Sequence, residues 1–255
     1  RLMGRVLATA LEKFPGLRLA AISGGQFDNV ICSRCDAVVA LPTGSGAAFT
    51  AFIREFDAAL KNEYAVTDPD VTLTCAAAET AKAVSAERTV TLVQALTAMP
   101  QGVEAMDTDF PGLVQTSLNM GVVKLDGDGL HIAFSIRSSI ASRKLMLAQR
   151  VRAVAALAGG TVAERGVYPG WQYKRESQFR DTLLAAYKDL TGKDGVVEAT
   201  HGGLECGLLM EKIPGLDAVS MGPELHDVHS VRERLSVPST ERTYELVCEL
   251  LRRSC

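Results

Sequence analysis

Thr200-His201-Gly202-Gly203-Leu204-Glu205-Cys206-Gly207 is the stretch on which the fold turns. A strand-like apolar run from Val196 to Thr200 leads into it and a helical pattern from Leu204 to Ile213 leads out. The glycines therefore lie where a strand gives way to a helix, the usual ligand face of an α/β sheet. Glycines there let the backbone approach a ligand closely, and a helix N-terminus favours an anion such as a carboxylate. They serve equally well as a tight strand-to-helix turn, with Glu205 complementing the helix dipole. A second cluster, Gly222-Pro223-Glu224-Leu225-His226-Asp227-Val228-His229-Ser230, follows another apolar run, Ala218 to Met221. Two histidines and two carboxylates suit a transition metal or an exposed polar loop, and one loop seldom completes a centre that needs about three protein ligands.

Outward from these clusters, the last third alternates short strand-like runs (Thr161 to Val167, Val196 to Thr200, Ala218 to Met221) with helical ones (Ser177 to Leu190, Leu204 to Ile213, Thr240 to Arg253). Upstream, periodicity predicts helices over Arg1 to Phe14, Ala47 to Tyr64, Ser85 to Met99 and Ala141 to Ala158. It predicts strands over Leu17 to Ile22, Asp36 to Leu41, Val71 to Ala76 and Val103 to Met106. Leu113 to Leu125 and Leu130 to Arg137, joined by Gly127-Asp128-Gly129, read as a hairpin. The change of pattern puts a domain boundary at Tyr168-Pro169-Gly170, giving domains 1–168 and 169–255. The expected fold class is α/β: an α+β domain of helices on a largely antiparallel sheet, followed by part of a mixed α/β domain.

The 255 residues are 47% hydrophobic and 22% charged, enough to bury one substantial core or two smaller ones. A net charge of −3 gives no electrostatic footprint for nucleic acid or an anionic membrane, so small metabolites or proteins are the expected partners. No stretch approaches the roughly 20 apolar residues a membrane span needs, and no signal peptide is visible. Six scattered cysteines point to a reducing compartment. Cys32-Ser-Arg-Cys35 has redox or zinc spacing but no second pair to complete a site.

In order along the chain, several segments carry a specific resemblance. Gly-Val-Tyr-Pro-Gly-Trp (Gly166 to Trp171), Thr-His-Gly-Gly-Leu-Glu-Cys-Gly-Leu (Thr200 to Leu208), Val-Ser-Met-Gly-Pro (Val219 to Pro223) and the His229-Ser230 pair with Glu233 closely resemble bacterial aminoacyl-histidine dipeptidases. Ser23-Gly24-Gly25 with Asn29-Val30-Ile31, Val114 to Gly121, and Ile136-Arg137-Ser138 extend the similarity to nearly the whole chain. The resemblance implies a cytoplasmic di-zinc peptidase that hydrolyses Xaa-His and other dipeptides, other divalent metals being possible, and that dimerises through a lid domain. Residue by residue, His229 resembles a zinc ligand. Asn29 and Arg137 resemble lid residues that hold the substrate carboxylate and a neighbouring carbonyl, and Gly203 resembles a backbone contact beside them. A guanidinium fork and backbone N–H donors suit a carboxylate. The residues alone leave Arg137 equally readable as a solvated arginine, Asn29 as a turn residue, and His131, His201, His226 and Trp171 as structural or surface groups.

The chain departs from that family in lacking His-x-Asp and Glu-Glu, the signatures of the catalytic segment. It resembles the C-terminal portion of such an enzyme, with no catalytic residue of its own and no expected activity alone, since hydrolysis needs a metal-bound water and a carboxylate base. Cys32 stands where the family has proline. Two other readings stay open: a non-catalytic module for dimerisation and substrate binding, and a related peptidase or deacylase acting on N-acyl amino acids or carboxypeptidase substrates.

Overall fold

The structure is a computed structural model that describes residues 1–79, 82–127, 129–200 and 202–254. It is mixed α/β, in the order α1 (Leu2–Lys13), β1 (Arg18–Gly24), β2 (Cys35–Ala40), α2 (Gly46–Glu63), α3 (Ala86–Ala98), β3 (Gly102–Met106), β4 (Val114–Asp126), β5 (Gly129–Ser138), α4 (Ala141–Leu157), α5 (Gln178–Thr191), α6 (Glu205–Lys212), β6 (Leu225–His226), β7 (Arg234–Leu235) and α7 (Val237–Ser254). β1 pairs antiparallel with β2, from Arg18 opposite Ala40 to Gly24 opposite Cys35, and its end pairs antiparallel with β4. The sheet runs β2-β1-β4-β3, with β5 also paired to β4.

The chain divides into two compact units. The first comprises Arg1–Glu104, Ser117–Ile136 and Ser142–Glu164, and the second Ala105–Thr116, Arg137–Ala141 and Arg165–Cys255. In the first, the 3.6-residue period of α1 turns Val6, Leu7 and Ala10 inward. Leu7 joins Leu19 and Ile22 of β1, Leu92, Val93 and Leu96 of α3, and Met120, Val123 and Leu125 of β4 in one core. A second cluster packs Val6, Ala10 and Leu17 on Phe52 and Ile53 of α2, and a third joins Leu118 of β4 to Leu147 and Val151 of α4. Thr89 is fully buried yet satisfied, because its hydroxyl accepts the Leu19 N–H (3.0 Å) and donates to the Ser85 carbonyl (2.9 Å). Ser85 caps α3 by accepting the Arg88 N–H.

In the second unit, Leu183 and Ala186 of α5 and Leu250 of α7 form the buried cluster, with Val219 and Leu246 against it. Ser177 caps α5, accepting the Arg180 N–H and donating to Asp217 at 2.8 Å. Asp217 also accepts the Phe179 N–H. Burial would raise its pKa, but the bonds from Phe179 and Ser177 and the charges of Lys174 and Arg180 outweigh it and hold the carboxyl below its ordinary value.

Four expected strands are absent as strands. Val71 to Ala76 forms no ladder; the Leu73 N–H donates to the Asp57 side chain at 2.7 Å, so a carboxylate on α2 takes the place of a partner strand. Thr161 to Val167, Val196 to Thr200 and Ala218 to Met221 also lie outside any ladder among the described residues. Apolar alternation marks a face, whereas a strand also requires a neighbour to complete its hydrogen bonds. Asp128 of the expected hairpin turn lies outside the described residues. None of the helices, over the described residues, is long and apolar enough to cross a membrane.

Candidate functional site

Asn29 lies in the exposed connection from β1 to β2, in the first unit. Two glycines bring this connection onto strand β4. Gly25 takes a left-handed φ of 74°, open to glycine at little cost, and a Cβ there would overlap the Gly121 carbonyl oxygen. A Cβ on Gly121 would in turn overlap the carbonyl oxygens of Phe27 and Asp28. The Asn119 side chain donates to the carbonyls on either side of Asn29, those of Asp28 (2.7 Å) and Val30 (2.9 Å). The Asn29 amide makes no hydrogen bond with any described residue, so it is not spent on closing its own turn. Farther along, Cys32 donates to the Arg34 carbonyl. Burial and the neighbouring Cys32 push the Cys35 thiol up to about 11, which disfavours the thiolate that redox exchange or metal binding requires.

The remaining candidates belong to the second unit. Arg137 is exposed near the end of β5, and its guanidinium has no hydrogen-bond or ion-pair partner among the described residues. Its backbone neighbourhood is firmly held. The Ser138 and Thr116 hydroxyls share a buried hydrogen bond of 2.8 Å, Ser138 also bonds the Ile140 backbone, and the Ser139 N–H donates to the Gln115 carbonyl at 3.3 Å.

Three motifs far apart in sequence meet beside it. A Cβ on Gly170 would lie 2.7 Å and 2.6 Å from the carbonyl oxygens of Ser138 and Ser139, so the Tyr168-Pro169-Gly170-Trp171 segment touches the backbone next to Arg137. A Cβ on Gly203 would lie 2.6 Å from the Tyr168 ring, and one on buried Gly207 would lie 3.2 Å from the Pro169 carbonyl oxygen. The glycine spacing of residues 203–207 thus seats the start of α6 against residues 168–171. It does more than turn the chain. Leu204 at the N-cap offers no side-chain acceptor to the first turn of α6, which leaves N–H donors of the kind an anion satisfies.

His229 stands in the loop joining β6 to β7, exposed, with a left-handed φ of 64°. Histidine tolerates this region better than most residues, and here Glu233 accepts the His229 N–H at 2.8 Å. Ser230 donates to the Asp227 carbonyl, and Arg234 pairs with the Asp227 carboxylate. The His-Ser…Glu string is therefore a self-bonded turn that presents an imidazole outward. Among the described residues no three His, Cys, Asp or Glu side chains converge as a metal site. The donor set thus does not fit a metal centre by itself: His229 could supply one ligand and no more. His226 is exposed on β6 and His131 on β5, and His201 lies outside the described residues.

In the sequence Asn119 is one residue of the Val114 to Gly121 motif, and Gly170 lies in the Gly166 to Trp171 motif at the expected domain boundary. Their roles depend on contacts across 91 residues for Asn119 with Asp28 and across about 30 residues for Gly170 with Ser138 and Ser139, which no local pattern reports.

Residues 1–68 match the model of a peptidase dimerisation domain. The chain is 31% identical over 253 residues to the cytosol non-specific dipeptidase of Escherichia coli (strain K12), covering 99% of this chain and 52% of that protein. The crystal structure of the aminoacylhistidine dipeptidase from Vibrio alginolyticus superposes with a TM-score of 0.90 at 30% identity, over 99% of this chain and 51% of that one. The chain spans about half the length of these relatives. By sequence and by fold alike, the chain is similar to an aminoacylhistidine dipeptidase and a cytosol non-specific dipeptidase over about half of their length.

Proposed function

We propose that this chain is the substrate-holding part of a cytoplasmic, metal-dependent dipeptidase that hydrolyses Xaa-His and related dipeptides, with residues 1–168 as a lid that also mediates homodimerisation and 169–255 as part of the catalytic domain. The observation that carries the reading is the Arg137 guanidinium, exposed and unpaired among the described residues on a backbone held by Ser138, Ser139 and Gly170. An unpaired fork of N–H donors on a rigid strand end suits the terminal carboxylate of a dipeptide. In this reading, following the resemblance, Arg137 takes that carboxylate, the Gly203 backbone is a contact beside it in the same unit, and the Asn29 amide is a separate contact to a substrate carbonyl. Their contribution is orientation, the holding of the scissile bond at a fixed place.

His229 is proposed as one ligand of a zinc centre whose other ligands these residues do not supply. Such a metal would supply an activated water in hydrolases of this kind. The test is a dipeptide panel assayed with protein expressed from the complete coding sequence, together with its metal content. Hydrolysis of Xaa-His dipeptides, and a loss of bound zinc in His229→Ala, support the reading. Hydrolysis of N-acyl amino acids alone would transfer it to a deacylase, and full zinc content in His229→Ala would remove that residue from the ligand set.

A second reading, a non-catalytic module for dimerisation and substrate binding, is favoured by the match of residues 1–68 to a peptidase dimerisation domain. Sedimentation of the 255-residue chain distinguishes it. A dimer that binds dipeptides without hydrolysing them supports the module, and a strict monomer without binding opposes it.

A further inference from the structure

We infer that Asn119 is a positioning residue for Asn29, an amide whose task is to aim that side chain; the inference rests on the reading of Asn29 as a contact to a substrate carbonyl proposed above.

Three observations converge on it. The Asn119 Nδ2 reaches the carbonyl oxygens of Asp28 at 2.7 Å and Val30 at 2.9 Å, so one NH2 group uses both of its donors on the residues that flank Asn29. The peptide unit is planar, so holding the Asp28 carbonyl also holds the plane that enters Asn29, and holding the Val30 carbonyl fixes the chain on its far side. Asn29 is thereby pinned from both directions while its own amide stays without a partner among the described residues.

The anchor itself is rigid. Asn119 sits on β4 between Leu118 and Met120, both in the buried core of the first unit. Gly121, two residues on, and Gly25 remove the side chains that would otherwise keep the loop away from the strand. Nothing about burial demands this arrangement. The loop from Gln26 to Ile31 is exposed, and water could satisfy both carbonyls. A protein amide placed there therefore supplies position in preference to solvation.

The experiment is a double-mutant cycle on dipeptide hydrolysis by protein expressed from the complete coding sequence: wild type, Asn29→Ala, Asn119→Ala, and both together. Asn119→Ala is expected to raise KM about tenfold, the scale of one or two lost hydrogen bonds, with kcat within about twofold and an unchanged melting temperature. Asn119→Asp, which sets carboxylate oxygens against two carbonyls, is expected to raise KM further. In the Asn29→Ala background the Asn119→Ala effect should vanish. A wild-type KM for Asn119→Ala, or an effect that simply adds to that of Asn29→Ala, overturns the inference while leaving Asn29 as a substrate contact. A wild-type KM for Asn29→Ala overturns that role of Asn29, and the inference with it.

Discussion

The two compact units hold themselves together by different means. In the first, ten buried residues from α1, β1, α3, β4 and the segment before α3 form one continuous apolar cluster, with two smaller ones beside it. In the second, the buried cluster among the described residues is Leu183, Ala186 and Leu250. Large apolar side chains there stay in water: Val196 is 83% exposed, Val237 76% and Leu251 62%. What orders the second unit near its candidate residues is close backbone contact at Gly170, Gly203 and Gly207, and polar caps such as Ser177 with Asp217. Burial of apolar area scales at about 25 cal/mol per Å2, so the first unit carries its own stability while the second is short of core. The residues proposed to contact substrate or metal therefore stand on unequal ground: Asn29 in a loop tied to a packed sheet, Arg137 and Gly203 on segments locked by close contact, and His229 in a self-bonded turn.

The largest effect should come from the packed side. Leu19→Ala, which empties a fully buried position beside Leu92 and Met120, is expected to cost about 2–5 kcal/mol in urea unfolding. A cost below 1 kcal/mol would break the contrast, since the first unit would then not depend on its core. Gly170→Ala tests the other side. Its methyl group would lie 2.6 Å and 2.7 Å from two carbonyl oxygens, so it is expected to cost about 1–3 kcal/mol through overpacking and to weaken dipeptide turnover by shifting Arg137. Wild-type turnover together with wild-type stability would mean that fit does not hold the second unit.

A smaller effect, about 1 kcal/mol, is expected for Ser177→Ala, which removes the cap of α5. The same site has a pH signature. Because the Asp217 carboxyl is held below its ordinary value in the folded protein, it contributes stability that is present above the unfolded pKa and lost as pH falls through the folded one. Thermal melts from pH 6 to pH 3 should show this loss, and Asp217→Asn should flatten it. The smallest effect concerns Cys35, raised from 9.0 to about 11. It contributes stability below its usual pKa that fades as pH rises through about 11, and at pH 8 it should react with iodoacetamide more slowly than exposed Cys75. Equal rates would contradict the burial of that thiol.

The same contrast explains what could be read in advance. The helices and strands of the first unit follow from apolar periodicity because their partners lie within the described chain: α1, β1, β2, α2 and α3 stand within a residue or two of where the pattern puts them. Val71 to Ala76 misled because alternation cannot reveal that Asp57 would take the place of a strand. In the second unit α5 and α6 were legible, while Val196 to Thr200 and Ala218 to Met221 have strand-like composition and no ladder partner among the described residues. The β6–β7 pair, two residues per strand, is too short for any period to register. Of the candidate site, the residue types were visible in the motifs. The contacts that support them, Asn119 under Asn29 and Gly170 against Ser139, join positions far apart in sequence and became visible only in three dimensions.

The proposed hold of Arg137 on the substrate carboxylate is tested most directly by the kinetics of Arg137→Ala in protein expressed from the complete coding sequence. KM is expected to rise and kcat to fall together, because a lost guanidinium removes both affinity and orientation. Kinetics equal to wild type on an Xaa-His dipeptide would contradict that role.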